Sequence, residues 1–415
     1  MKFKIFALVG LAIMTMTISN SVQSEKHQYF WMKIKAQDKF TRSIIANTGV
    51  NIENVSDDYV IAYGSDYELK KIQSLGLLIA SSNLSEERLV KPKDYPAKDS
   101  AYHNYSELTE EITKLTQENP TLVQMSSIAK TIEGRDLWAL RIGVDQSHAH
   151  QKPAVIYMGG HHAREHLSVE MPLMLAQYLI REFKNNNPRI VALLNSRDIH
   201  IIPTVNPDGM EFDITDGKYK MWRKNRARNN DGTFGVDLNR NYGYQWGTGG
   251  SSNNPSSETY KGPQPFSEAE TQAIKNYIDT HTNITVLLSF HTYSQLILYP
   301  WGHKYDGLEI SKDKQVHEVM AKKMAEWNGY QPQQSSELYI ASGDTTDWSY
   351  GVHKIISFTF ELDPANTGFG GGGFYPGSGV IQPVFNKNIE PCLYLMEYAD
   401  NPYRVLNVGI GPIGL

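Results

Sequence analysis

The stretch YMGGHHAREHLSVE, residues 157–170, runs a buried-type strand straight into a crowd of ionisable groups. Val155, Ile156 and Tyr157 have strand character. Gly159 and Gly160 break it, and His161, His162, Arg164, Glu165 and His166 follow. A charged loop is usually only a solvated loop. Imidazole and carboxylate at the end of a hydrophobic strand are also a donor set for a metal, with His162 and Glu165 as ligands. The rest of the chain decides between these readings.

From about residue 102 onward, segments of strand and helix character alternate. LWALRIG (137–143), AVIYMGG (154–160), DIHIIPTV (198–205), ITVLLSF (284–290) and IISFTFEL (355–362) are predicted strands. Between them lie amphipathic stretches such as SVEMPLMLAQYLIREFKNN (168–186), with Ser168 as its expected cap, and EAETQAIKNYIDTH (268–281). This pattern predicts an α/β fold with a mixed parallel and antiparallel central sheet covered by helices on both faces. Ligand sites in such sheets form outside the carboxyl ends of strands. His291 follows ITVLLSF, and Glu361 sits near the end of IISFTFEL. His162, Glu165 and His291 would together make a His₂Glu zinc set with one position left for water. Glu361 would be the carboxylate that is not a ligand, free to take a proton from that water. H-x-x-E alone recurs easily by chance; the histidine on a different strand end strengthens it. His161 and His166 are expected to be ordinary loop or core histidines.

A second cluster, MWRKNRARNNDGTFGVDLNRNYG (221–243), alternates Arg223, Arg226, Arg228 and Arg240 with Asn225, Asn239 and Asn241. That suits a polar pocket better than a helix face. Arginine grips carboxylates bidentately and can polarise a developing oxyanion. A zinc set beside such a pocket points to a substrate with a free carboxylate near the bond cut.

The chain of 415 residues is long enough for a large core and a smaller partner. With 40 basic against 45 acidic residues and a net charge of -5, it has no basic block for tracking phosphates, and nucleic acid is excluded as a partner. Lys2 and Lys4 precede a mostly apolar run, Ile5 to Ile18, of signal-peptide length, so residues 1–24 are expected to be a cleaved signal. The mature protein is then secreted or periplasmic, and no later segment is apolar enough to span a membrane. The single cysteine, Cys392, excludes an internal disulfide and is expected to be a buried structural thiol. Residues 25–98 are expected to form a small α+β unit of βαβ type plus a linker, with residues 99–415 as the main domain. The linker NLSEERLVKPKDYPAKDSAYHNY (83–105) is charged and interrupted by Pro92 and Pro96, as suits a site of proteolysis. The Gly-rich FGGGGFY (369–375) lacks a phosphate-binding pattern. Acidic loops such as NVSDD (54–58) are compatible with calcium but assign none.

These motifs resemble, in order, those of the zinc metallocarboxypeptidase family of carboxypeptidases A and B, in its bacterial, carboxypeptidase T-like branch. The resemblance runs over about 102–400 through YHNYSEL, EGRDLWALRIG, GGHHARE, NPDG, MWRKNR, GVDLNRN, SFHTYSQLILYPWG, YIASGDTTDWSYG and SFTFEL. It implies a carboxypeptidase-like fold and one zinc ion on His162, Glu165 and His291. It implies Glu361 as general base and Arg226 as the group polarising the scissile carbonyl. Asn239, Arg240 and Tyr339 would hold the terminal carboxylate of the substrate, with Arg164 as a further substrate contact. The side chain of the C-terminal residue would enter a pocket built by ELYIASGDTTDWSY (337–350), with Asp344, Thr346, Leu298 and Leu338. Thr346 stands where carboxypeptidase B-like enzymes carry an acid, and Asp344 sits two residues earlier, so both hydrophobic and basic C-terminal residues are expected substrates. The family is made as a zymogen, which implies that 25–98 is an activation domain removed by a protease. Peptides and proteins with a free C-terminus are the expected partners of a monomer. The alternatives are a zinc amidase of the same fold acting on peptidoglycan stem peptides, and a binding relative without catalysis. Loss of the carboxylate-holding residues would favour the amidase, and loss of a ligand or the base would favour the binding protein.

Overall fold

The protein is seen in a computed structural model that describes residues 28–83, 95–365 and 372–407. The expected signal peptide and residues 84–94 of the linker lie outside the described residues. In the N-terminal unit, β1 (Tyr29–Lys35), β2 (Asn51–Val55), β3 (Tyr59–Ser65) and β4 (Leu78–Asn83) form a sheet of order β2-β3-β1-β4, with every pairing antiparallel. Helix α1 (Lys39–Ala46) starts at Asp38, whose side chain accepts from the backbone N–H groups of Phe40 and Thr41. Helix α2 (Asp66–Ser74) starts at a capping box of Ser65 and Glu68. The expected βαβ unit is therefore two split units, since β3 lies between β1 and β2, and β1 between β3 and β4. Helix α1 and strand β2 were not evident in the sequence.

Period-two alternation gives this small sheet two buried faces. Met32, Ile34, Val60 and Ala62 enter its own core with Ile45 and Ile72. Trp31, Ile61 and Tyr63 point the other way and pack with Met221, Tyr293 and Phe374 of the large unit. Phe374 comes from the Gly-rich segment, whose residues 369–371 lie outside the described residues.

The large unit contains β5 (Val123–Lys130), β6 (Asp136–Ile142), β7 (Ala154–Met158), β8 (Asp198–Ile202), β9 (Ile284–Thr292), β10 (Leu296–Tyr299), β11 (Gln331–Gln334) and β12 (Ile356–Leu362). They form one sheet of order β11-β10-β12-β9-β7-β8-β6-β5. Strands β12, β9, β7 and β8 run parallel at its centre, and β10, β6 and β5 join antiparallel toward the edges. The mixed sheet is as expected. Every residue of β7 is buried, and its side chains alternate between two cores. Val155 and Tyr157 face the larger core, which includes side chains of α3 (Tyr105–Glu118), α4 (His166–Lys184), α5 (Pro188–Ser196), α6 (Pro207–Ile214), α8 (Ser311–Asn328) and α10 (Ile381–Tyr398). Ala154, Ile156 and Met158 face the smaller one, with α7 (Ala269–Thr280) and α9 (Thr345–His353). Cys392 is a buried free thiol in α10. No helix among the described residues is long and apolar enough to cross a membrane.

Two details position the site. A Cβ on Gly159 would lie 2.0 Å from the carbonyl oxygen of Ser168, so only glycine lets β7 end this close to α4. Ser168 is not the cap of α4, which begins two residues earlier. Its hydroxyl accepts from Gly160 N–H at 3.0 Å and donates to the Glu165 carbonyl at 2.6 Å. The large unit takes hold of the chain from Tyr95, inside the expected linker: its ring lies in the larger core and its hydroxyl meets His166 Nδ1 at 2.7 Å.

Candidate active site

Parallel register places the site. In the β12–β9 pair Glu361 stands opposite His291, and β7 ends beside β9, so the residues after Met158 fold over the same sheet end. There His162 Nδ1 lies 2.7 Å from Glu165 Oε1, His291 Nδ1 lies 2.9 Å from Glu165 Oε2, and the two ring nitrogens are 3.2 Å apart. All three residues are buried, and their donor atoms lie within 4.8 Å of one another. Burial would raise the pKa of Glu165, but the imidazoles of His162 and His291 outweigh it and hold the carboxyl well below its usual range. Burial pushes His291 down, toward the neutral ring that offers a lone pair. Hydrogen bonds alone satisfy the arrangement poorly: for both rings to donate to Glu165 each Nδ1 must carry a hydrogen, which crowds two N–H donors together at 3.2 Å. Two nitrogens and a carboxylate turned on one point are the ligand chemistry of zinc, so the residues present fit that ion.

A layer behind fixes these ligands. Asp237 Oδ1 lies 3.2 Å from His162 Nε2, and Asp237 Oδ2 accepts from Arg223 Nε and Nη2 at 3.0 Å each. Burial opposes the Asp237 charge, yet Arg223 and His162 hold its pKa well below the usual range. A carboxylate on the far nitrogen fixes the ring orientation of a metal-binding histidine. His161 takes no part: its Nε2 meets Tyr242 Oη at 2.9 Å and Thr345 Oγ1 at 3.0 Å, and burial lowers its pKa well below the usual value. His166 lies between Tyr95 and Asp213, at 2.7 and 2.9 Å.

A cavity of about 420 Å³ opens beside the cluster. His162, Glu165, Asn239, Arg240, Tyr339, Leu298, Leu338, Asp344, Thr346 and Glu361 all line it, together with Arg223. Burial, then the Glu165 carboxylate, raises the pKa of Glu361 well above the usual range. Arg240 donates from Nε to the Gly250 carbonyl at 2.9 Å and from Nη1 to the Asn239 carbonyl at 2.8 Å, which fixes the plane of its guanidinium. Asn239 Oδ1 accepts from Thr345 N–H and Oγ1, each at 3.0 Å.

This fold and site match known proteins. The zinc carboxypeptidase family profile matches residues 108–391. The chain belongs to that family. A zinc carboxypeptidase of Saccharothrix mutabilis subsp. capreolus is 34% identical over 394 residues, 90% of each chain. Carboxypeptidase A2 of Rattus norvegicus is 35% identical over 310 residues, 73% of this chain and 72% of its own. The crystal structure of carboxypeptidase A from Helicoverpa armigera superposes with a TM-score of 0.73 at 22% identity, covering 90% of this chain and 97% of that one.

Two arginines of this zinc carboxypeptidase, both expected to meet substrate, do not line the cavity of the uncut chain. Arg226 does not line the cavity. Its guanidinium sits 3.6 Å from the ring centroid of Phe212, between Trp222 and Phe234, with Nε 3.6 Å from Glu133. Arg223 lines the cavity instead. The sequence run offered several arginines and no period to choose among them. Arg164 is fully buried and donates to the Met221 carbonyl at 2.9 Å, to Glu258 at 3.2 Å and to Glu53 of the N-terminal unit.

The N-terminal unit covers the cavity. Ile52, Glu53, Asn54 and Val55 of the edge strand β2 line it. Arg42 donates to the carbonyls of Leu338 and Glu337 at 2.6 and 2.8 Å, and Ser43 Oγ accepts from Ile340 N–H at 2.8 Å. The chain on both sides of Tyr339 is thus held by α1. No sequence pattern marks Glu53, Arg42 or Ser43, because their partners lie more than a hundred residues away.

Asp237→Asn should lower zinc affinity about 10–100-fold, since it removes the carboxylate behind His162, and should also lower stability, since buried Arg223 loses its charge partner. Zinc competition with a graded chelator, alongside thermal unfolding of the zinc-loaded protein, measures this. Unchanged affinity would make Asp237 a partner of Arg223 alone.

Proposed function

We propose that the chain is an exported zymogen of a zinc-dependent carboxypeptidase that removes hydrophobic and basic residues from the C-termini of peptides and proteins. One observation carries the reading: the His162–Glu165–His291 cluster opens on the same cavity as Asn239, Arg240, Tyr339 and Asp344. A receptor for a terminal carboxylate and a receptor for the last side chain thus flank one metal set. An amidase or a binding protein has no use for all of these groups together.

The roles follow from placement. His162, Glu165 and His291 would hold the zinc. Zinc bound there would act as a Lewis acid, polarising the scissile carbonyl and making water a nucleophile at neutral pH. Arg240, with Asn239 and Tyr339, pairs the terminal carboxylate and so selects exopeptidase over endopeptidase cleavage. Arg223 supplies positive charge to the carbonyl oxygen as it becomes anionic. Glu361 takes a proton from water as its oxygen attacks the carbonyl carbon. It returns that proton to the amide nitrogen as the C–N bond breaks, so acid and amine leave with atoms balanced. Leu298 and Leu338 supply apolar surface for the last side chain, and Thr346 lines the same pocket.

Latency is the role that fits the N-terminal unit. Strand β2 stands where substrate would lie, α1 grips the chain around Tyr339, and Glu53 pairs with Arg164 in a buried ion pair. Release requires a cut, and because the large unit holds Tyr95, the cut that frees the cavity lies before it, within 84–94.

The test is hydrolysis of blocked dipeptides by the cut protein. It should release C-terminal Phe, Leu, Lys and Arg, cleave Asp and Glu poorly, and fall silent with a zinc chelator. Glu361→Gln should keep zinc and substrate but lose nearly all turnover, because an amide cannot accept the proton; a retained kcat would move the base elsewhere. Arg223→Met should lower kcat by about 10²-fold or more, the scale of one oxyanion donor, while Arg226→Met leaves it nearly unchanged. The uncut chain should be far less active than the same sample after limited proteolysis, with Glu53→Gln raising the activity of the uncut form. Equal activity before and after cutting would contradict the zymogen reading.

A further inference from the structure

Asp344 stands at the N-cap of α9, where one of its oxygens is fully used and the other is not. Oδ1 accepts from Thr346 N–H at 2.9 Å, Asp347 N–H at 2.9 Å and Thr346 Oγ1 at 2.7 Å. Oδ2 is buried and has no hydrogen-bond partner. It faces the cavity beside Gly302, where an added Cβ would lie 3.2 Å from it. The capping bonds hold the side chain in place. A protonated carboxyl keeps one oxygen as an acceptor, so a proton on Oδ2 leaves the helix cap intact. The position of the pocket acid is therefore the same in both charge states.

Asp347, three residues on, is fully buried. Its oxygens accept from Gly302 N–H at 2.9 and 3.0 Å, His303 N–H at 2.9 Å and His303 Nδ1 at 2.7 Å. Of the two carboxyls, Asp344 is the one with an oxygen open to a proton. The groups around it come from three segments. Helix α9 brings Asp347, the loop after β10 brings His303, bonded to Asp347 and not to Asp344, and the segment after Asp237 brings Arg240 and Tyr242.

We propose that specificity is gated by protonation at Asp344: the neutral acid admits aliphatic and aromatic C-terminal side chains, the ionised acid admits lysine and arginine, and buried Asp347 is the positioning charge that sets the gate. The proposal rests on the reading above that this cavity receives the last residue of the substrate. An unpaired ionised carboxylate in a dry pocket is costly beside an apolar side chain, and a neutral one is far less so. Facing an ammonium or guanidinium, the ionised form makes a charge-assisted contact. Burial, then the like charge of Asp347, raises the pKa of Asp344 to about 7, against the pull of the capping bonds and Arg240. That shift belongs to the covered chain; Asp347, the cap and Arg240 all stay with the large unit after the cut, so the two charge forms remain close in energy and one pocket serves two substrate classes.

The experiment uses the zinc-loaded chain after the proteolytic cut. Two blocked dipeptides, one ending in Lys and one in Leu, compete in the same tube from pH 5.5 to 9, and the ratio of their kcat/KM values is read. Groups that act alike on both substrates cancel in this ratio, and the lysine amine, with a pKa of about 10.4, stays charged throughout. The Lys/Leu ratio should rise with pH by about tenfold or more through one titration near neutrality, the scale of a charge-assisted contact. Asp344→Asn, which keeps an oxygen for the cap, should flatten the profile and leave Lys poorly cleaved. Asp347→Asn should move the midpoint to lower pH, since removal of the like charge lets Asp344 ionise sooner; Asp347→Ser serves if the Asn variant does not fold. The wild-type profile decides the gate whatever the variants do. A ratio that is flat or falls with pH, with both peptides cleaved, would overturn the gate and leave the carboxypeptidase reading standing. A midpoint unmoved in a folded Asp347 variant would remove Asp347 from it. Cleavage of neither peptide at any pH would overturn the reading on which the gate depends.

Discussion

Glu165 is a buried carboxylate wedged between two imidazoles, and most of the site exists to make that arrangement tolerable. A carboxylate taken out of water is expensive unless it is paired and hydrogen-bonded. Here it is bonded to His162, to His291 and to the backbone N–H of Thr292 at 3.2 Å. The constraint propagates outward. His162 must present one nitrogen inward, so the other needs a partner, which is Asp237. Asp237 is itself fully buried, so it needs Arg223. The chain must also turn sharply enough after β7 to bring His162 and Glu165 back over the strand ends, and that requires the bare backbone of Gly159 against α4. A chain of buried charges thus leads from the metal set to an arginine on the cavity wall.

How much of this was legible in the sequence depends on the range of the interaction. The central strands announced themselves because a strand buried on both faces is apolar throughout, as β7 is. His162, Glu165, His291 and Glu361 could be assembled because strand ends are a common meeting place, a rule that needs no knowledge of strand order. Arg223 could not be told from Arg226 because an irregular segment has no period. The two side chains diverge around a turn in which Asn225 bonds to Glu268 and to the backbone of Val236. Strand β11, with the sequence QPQQ, has neither apolar character nor alternation; it forms because its backbone completes an edge beside β10. Ser168 looked like a cap because the apolar run starts after it, whereas the helix starts at His166, where Glu165 turns its side chain to the site instead of capping.

The N-terminal unit meets the large one through groups of two kinds. Trp31, Ile61 and Tyr63 contribute apolar surface against Tyr293, which lines the cavity, and such contact discriminates little among positions. Polar contacts fix where the unit sits. Asn47 Oδ1 accepts from Gly250 N–H at 2.8 Å, and the carbonyl of the same Gly250 accepts from Arg240. Ser257 Oγ donates to the Gly49 carbonyl at 2.6 Å. The residues that position the N-terminal unit are thus neighbours of those that line the cavity. Breaking one chain connection would not by itself dissolve these contacts, so separation after a cut draws on the entropy released when the small unit becomes a free body.

The end of α9 brings the structural and chemical demands on one residue into the open. A helix N-terminus wants an acceptor at its cap, and aspartate is among the best. A pocket for mixed side chains wants an acid that is not permanently charged. Serving both with one carboxyl works because the two oxygens are inequivalent: Oδ1 carries three hydrogen bonds and Oδ2 none. The helix end favours the anion, since partial positive charge gathers there, and burial with Asp347 disfavours it. Neither side wins outright, which leaves the group poised where a proton can move. The geometry shows the cap, and the unpartnered Oδ2 on the cavity supports the proposal that the same side chain is also the pocket acid.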